Sequence, residues 1–182
     1  MKKITLKGIA WDHPRGYQPL RATSETFKQL HPEVDILWDI RSLKEFGDMP
    51  IEDLIEVYDL ITIDHPYMGQ ANANNLLLPL DKLIPRHSLE KLKEESVGPS
   101  YQSYYYNGNL YAIAVDAAAL VAAYREDLIL KLGLNIPKTR AELLDFYKKI
   151  PSSHMVAWPL CATDLWCTFL TLCAQDGGRD FI

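Results

Sequence analysis

The chain has 182 residues, 48% of them hydrophobic and 24% charged, which suffices to bury a core in one or two domains. Its formal net charge of -5, with no block rich in Lys or Arg, excludes the electrostatic footprint of a nucleic-acid binder or of a protein drawn to anionic membrane. No apolar run reaches the length of a bilayer span, so no membrane insertion is expected.

The start Met1-Lys2-Lys3 has the charge of a signal-peptide n-region, but Ile4 to Trp11 contains Lys7 and leads into Asp12 and His13. Neither an apolar leader core nor a cleavage site follows, so the sequence as it stands predicts cytoplasmic residence or a leader lost from the native protein. Ile4–Trp11 reads as a first strand. Leu20, Thr23, Phe27 and Leu30 then recur at helical spacing until His31-Pro32 stops the helix. Val34, Ile36, Trp38 and Ile40 alternate as a second strand, and Pro50 opens a short segment with Ile51, Leu54 and Ile55. Tyr58 to Asp64 is an apolar run expected to form a third strand, buried on both faces and followed by His65-Pro66. Strands and helices alternating with short joins predict a parallel sheet covered by helices, with right-handed crossovers.

The texture changes after Pro85. Ser88 is the expected cap of a polar helix to Glu95. Tyr101–Tyr106 and Asn109–Val115 flank Asn107-Gly108, whose residue types favour the positive φ angles of a tight hairpin. Ala118–Tyr124 predicts another strand, Glu126–Leu132 a helix ended by Gly133, and Thr139 with Glu142 a capping box for a helix to Ile150. Val156–Leu160 predicts a strand, and Asp164–Ala174 a helix before Gly177-Gly178. Cys161, Cys167 and Cys173 are odd in number. Two of them, six residues apart on the expected helix, point to roughly opposite faces and cannot share a metal, and all three are read as small buried apolar residues.

From Asn107 onward the order Asn107-Gly108-Asn109-Leu110-Tyr111-Ala112-Ile113-Ala114-Val115-Asp116, then Ala123-Tyr124-Arg125-Glu126-Asp127-Leu128, Gly133, Ile136-Pro137-Lys138-Thr139 and Glu142-Leu143, resembles the extracellular solute-binding proteins of ABC transporters, sugar-binding type. Ala114 and Arg140 depart from the commoner proline and tryptophan of that pattern. The resemblance implies an α/β fold like that of periplasmic binding proteins of type II. Its first lobe, residues 1–115, would carry the parallel sheet and the hairpin leading to the hinge, and residues 116–182 would begin a second, incomplete lobe. It further implies a small-molecule solute held between two lobes, a transporter permease as partner, and a periplasmic or cell-surface location. No enzyme activity and no cofactor are implied. An unfinished second lobe would leave apolar faces uncovered, which predicts a homodimer.

In an open parallel sheet, ligands bind beyond the carboxyl ends of the strands. Trp11, Asp12, His13 and Arg15 follow the first strand, Asp39, Arg41 and Ser42 close the second, and Asp64, His65 and Tyr67 follow the third. A tryptophan covers an apolar sugar face while Asp and Arg bond hydroxyls, and Arg equally clamps a carboxylate, so both ligand classes stay open. Asp116 is expected at the hinge, with Trp158 and Trp166 as lids or as core. The expected ligand-binding residues are therefore Trp11, Asp12, His13, Arg15, Arg41, Asp64, His65, Tyr67 and Asp116. Two alternatives remain. The pairs Asp12-His13 and Asp64-His65 suggest a metal site or metal-dependent enzyme, although no His-x-x-x-His pair supports it. A free-standing cytoplasmic ligand-sensing domain would also use this fold.

Overall fold

Three parallel strands anchor the amino-terminal half. In the computed structural model, which describes residues 3–177, β1 (Ile4–Trp11) lies between β2 (Val34–Arg41) and β3 (Leu60–Ile61) in the order β2-β1-β3. The β1 and β2 ladder runs its full length, from Ile4 opposite Val34 to Trp11 opposite Arg41. The third strand is shorter than Tyr58 to Asp64 and is not buried on both faces: only Gly8 and Ile9 pair with Leu60 and Ile61, and Leu60 is exposed. Asp59 and Thr62 extend the contact by single amide bonds to Lys7 and Ile9.

Helix α1 (Pro14–Leu30) packs on β1 and β2. The Trp38 indole lies across Gly8 of the neighbouring strand, where a Cβ would sit 2.5 Å from the ring. Its Nε1 donates to Ser24 Oγ on α1 at 2.8 Å, so a largely apolar ring enters the interface with its one donor satisfied. Helices α2 (Leu43–Asp48) and α3 (Ile51–Ile55) connect β2 to β3. Ser42 and Glu45 cap α2 reciprocally, the hydroxyl accepting from the Glu45 amide and the carboxylate from the Ser42 amide. The Ser42 hydroxyl also donates to that carboxylate, and this bond first, then the one from the Ser42 amide, holds the Glu45 carboxyl below its ordinary pKa.

Helix α4 (Met68–Ala73) buries Met68 and Ala71, and α5 (Arg86–Glu95) buries Leu89. Pro85, not Ser88, precedes the first residue of α5. The Ser88 amide already donates to the Pro85 carbonyl, which places Ser88 inside the first turn. The hairpin forms about Asn107 (φ 48°) and Gly108 (φ 80°) but is small, β4 (Tyr105–Tyr106) against β5 (Asn109–Leu110). Gln102–Tyr104 coil into a 3₁₀ turn, with Tyr101 before it, instead of lengthening the strand. Leu110 is fully buried, its amide donating to Asp81.

The chain divides into two compact units, Met1–Ala117 and Ala118–Ile182. In the second, α6 (Glu126–Lys131), α7 (Arg140–Lys149) and α8 (Ala162–Gln175) form as the sequence predicts. Gly133 (φ 64°) follows α6, and Thr139 Oγ1 accepts from the Glu142 amide at α7. The Glu142 carboxylate returns to Lys138 N rather than to the cap residue, so the box is shifted by one position. The two expected strands do not form: 118–124 and 156–160 have no ladder partner, and Val121 is 83% exposed. Nor are the cysteines core, since Cys161 and Cys167 are exposed and Cys173 is half-buried. No helix among the described residues is long and apolar enough to cross a membrane.

Candidate functional site

Parallel pairing fixes the geometry of the first unit's polar rim. Because β1, β2 and β3 run the same way, their carboxyl ends lie on one edge, and the residues after each strand are delivered there together.

Trp11, half-buried, is the centre of this edge. His13 stacks on it with ring centroids 5.0 Å apart and planes 11° from parallel, Phe46 of α2 tilts against it at 5.9 Å, and the Arg15 guanidinium lies 5.2 Å from its ring centre. Beneath the indole is Gly16, buried in the first turn of α1, where a Cβ would fall 2.2 Å from Nε1. Glycine is there for close approach, not for a turn.

His13 is the N-cap of α1. Its extended backbone (φ -151°) turns the ring back so that Nδ1 accepts from the Arg15 amide at 3.1 Å. This fixes the neutral tautomer with the proton on Nε2. Arg15 reaches outward, its Nε donating to Asp116 Oδ2 at 2.9 Å. Asp12 and Asp64 are both exposed, and Asp64 caps the short turn His65–Tyr67 by accepting from the His65 amide. Its carboxylate also stands 3.3 Å from His65 Nδ1.

Two expected residues are committed elsewhere. Arg41 is only 5% exposed, packed over Phe46 and bonded to the Thr62 carbonyl, so it lies beneath the rim rather than on it. The Tyr67 hydroxyl donates to the Gly47 carbonyl. Asp39, within β2, accepts from Tyr58.

Tyr104 joins the rim, one of the four tyrosines Tyr101, Tyr104, Tyr105 and Tyr106 that the sequence offers as a pocket wall and of which strand alternation lets at most about half line a site. Its hydroxyl meets the Ile63 carbonyl at 3.3 Å, and burial first, then the carboxylates of Asp64 and Asp116, push its pKa up to about 12. The run Tyr101–Tyr106 was a visible signal. What the sequence could not show is which of these rings faces the strand ends.

The acid-histidine pairs do not assemble a metal site. His13 Nδ1 and an oxygen of Asp64 are both used as helix caps. Among the described residues no three His, Cys, Asp or Glu side chains gather around a common point. In the second unit, Trp158 is 40% exposed, edge-on to Tyr147, and Trp166 is 60% exposed and stacked on Phe169. A concavity there is lined by Tyr147, Ile150, Val156 and Trp158, with His154 its only titratable group besides the tyrosine.

The sequence pattern of the family described as bacterial extracellular solute-binding protein matches residues 53–179, more than half of the chain. No curated protein matches. Solved structures with the same fold include an ABC transporter solute-binding protein from Agrobacterium radiobacter K84 in complex with ribitol. That protein is 24% identical, with a TM-score of 0.60 over 84% of this chain and 39% of its own. A periplasmic solute-binding protein from Pectobacterium atrosepticum SCRI1043 is 14% identical, with a TM-score of 0.58 over 80% of this chain and 35% of its own. The GacH receptor of Streptomyces glaucescens GLA.O, solved unliganded and with acarbose, is 18% identical, with a TM-score of 0.55 over 82% of this chain and 38% of its own. The chain thus spans less than two fifths of the length of each.

Proposed function

Because the chain belongs to the family of bacterial extracellular solute-binding proteins, we propose that it takes part in capturing a small polar solute for an ABC transporter, outside the cytoplasmic membrane. In this reading the sheet edge of the first unit supplies one wall of the binding site. The observation that supports this most is the convergence of Trp11, Asp12, His13, Arg15, Asp64, His65 and Asp116 at the carboxyl ends of three parallel strands. In that role Trp11 presents the exposed part of its ring to an apolar sugar face. The carboxylates of Asp12, Asp64 and Asp116 accept from hydroxyls, while Arg15 and the Nε2–H of His13 donate. Arg41 and Tyr67 act from behind, through the backbone they hold.

The ligand class follows from donor and acceptor supply. Sugars and polyols offer many hydroxyl donors to the three carboxylates, and the bound ribitol and acarbose of the structural relatives make this class the first to try. An organic acid would depend on Arg15, which is already paired with Asp116. The members of this family are binding proteins rather than enzymes, so binding without turnover is expected. The homodimer expected from the sequence has no support in the fold or in these comparisons and is not part of the reading.

Thermal-shift and calorimetric titration of the chain with ribitol, acarbose, galacturonate and citrate test the proposal. A true ligand at 100 times its dissociation constant adds roughly 2.7 kcal/mol to the native state. Chemical conversion of any ligand that binds would overturn the reading.

A further inference from the structure

One residue ties the exits of all three strands together. Arg41 ends β2, and its carbonyl accepts from the Asp12 amide at 2.7 Å just beyond β1. Its Nη2 donates to the Thr62 carbonyl, also at 2.7 Å, just beyond β3. Thr62 is itself pinned to β1, its amide and its Oγ1 both donating to the Ile9 carbonyl at 3.0 and 3.1 Å. The corners of this triangle carry Asp12 directly and Asp64 two residues past Thr62.

The burial is unfavourable for the guanidinium. The Phe46 ring, 5.1 Å below it, attracts the cation, but its Nε and Nη1 are buried with no partner among the described residues, and burial pulls its pKa below the ordinary value. Unpaired buried donors cost stability, and an apolar side chain of similar length would fill the space without that cost. Packing alone therefore does not account for an arginine here. A directed, charge-assisted grip on a carbonyl does.

We propose that Arg41 is a positioning residue of the solute site: it touches no solute, and it sets the spacing between Asp12 and Asp64 by holding the backbone at both. This rests on the reading of the rim as the solute site. A misplacement of about 1 Å in a site built from fixed groups is enough to cost large factors in function, and the buried grip prevents that drift.

The experiment compares wild type with R41M, which keeps the volume and removes the donors. Hydrogen exchange is followed by mass spectrometry without ligand, and affinity is measured with ribitol and with acarbose. The expected result has three parts. The thermal midpoint stays at or above that of wild type. Exchange at residues 62–66 accelerates at least tenfold while residues 4–10 are unchanged. Affinity for whichever probe binds wild type weakens at least tenfold. R41K, which keeps the charge and a donor, recovers part of the last two. Wild-type exchange at 62–66 in R41M overturns the proposal, as does a loss of affinity that only parallels a loss of stability. If R41M does not fold, R41Q is read by the same criteria. A wild-type chain that binds neither probe counts against the solute reading, while the exchange result still decides whether Arg41 fixes the spacing.

Discussion

At the scale of single residues, the rim is governed by where each polar group spends its hydrogen bonds. Tyr104 is the clearest case, because its phenol is shielded and faces two carboxylates, so ionisation is opposed from both directions. The sign follows directly. A tyrosine whose pKa is raised by folding keeps its proton in the native state after the unfolded chain has lost it, so it stabilises the fold fully below about pH 10 and that contribution disappears as pH rises toward about 12. Spectrophotometric titration is expected to show one tyrosinate appearing later than the rest, absent from Tyr104→Phe, and the variant's stability should fall less steeply over that alkaline window. A difference of one tyrosinate that appears together with the others, not after them, would mean that Tyr104 is open to solvent. Arg41 shows the opposite limit of reading residues from sequence. Its place at a strand end was legible, but not whether it faces out to the rim or inward over Phe46, because that depends on the partner Thr62, 21 positions away.

At the scale of elements, punctuation was legible and pairing was not. Asn107-Gly108, Gly133 and Thr139 act where the sequence places them, since a cap or a turn is a local bond between near neighbours, whereas Ser88 gives up the start of α5 to Pro85. Strands are another matter. Ala118–Tyr124 and Val156–Leu160 have strand composition, yet a strand exists only with a ladder, and apolar residues state a preference for burial without naming a partner. The same reasoning explains the short β3, whose pairing is limited to Gly8 and Ile9. The hairpin gives the matching prediction. Gly108 has open space around its Cβ position, so Gly108→Ala meets no clash and loses only the ease of φ +80°. That costs roughly 1–2 kcal/mol, measurable as a lower denaturation midpoint with an unchanged denaturant slope. A neutral result would show that the turn relaxes to another type.

At the scale of the whole molecule, burial is divided unequally. Among the described residues the buried apolar side chains, including Ile9, Ile51, Leu54, Met68, Leu89 and Leu110, all belong to Met1–Ala117, whereas Thr168 is the sole buried position of Ala118–Ile182. Stability tracks apolar burial. Native-state hydrogen exchange is therefore expected to find the slowest amides in β1 and α1, with α6, α7 and α8 exchanging faster; equal protection in both units would contradict this. The central place of β1 in the sheet also has a consequence in time. The chain makes this strand first, yet it stays without neighbours until Trp38 can meet Gly8, and its other side stays open until Leu60 arrives at the same residue. Closing the shorter loop costs less entropy, so β1, α1 and β2 assemble before β3 docks on two residues. Asp64 and His65 are consequently put in place after Trp11 and Asp12. In the same exchange measurement they should come away before those two, so the two sides of the sheet edge differ in how long they stay formed.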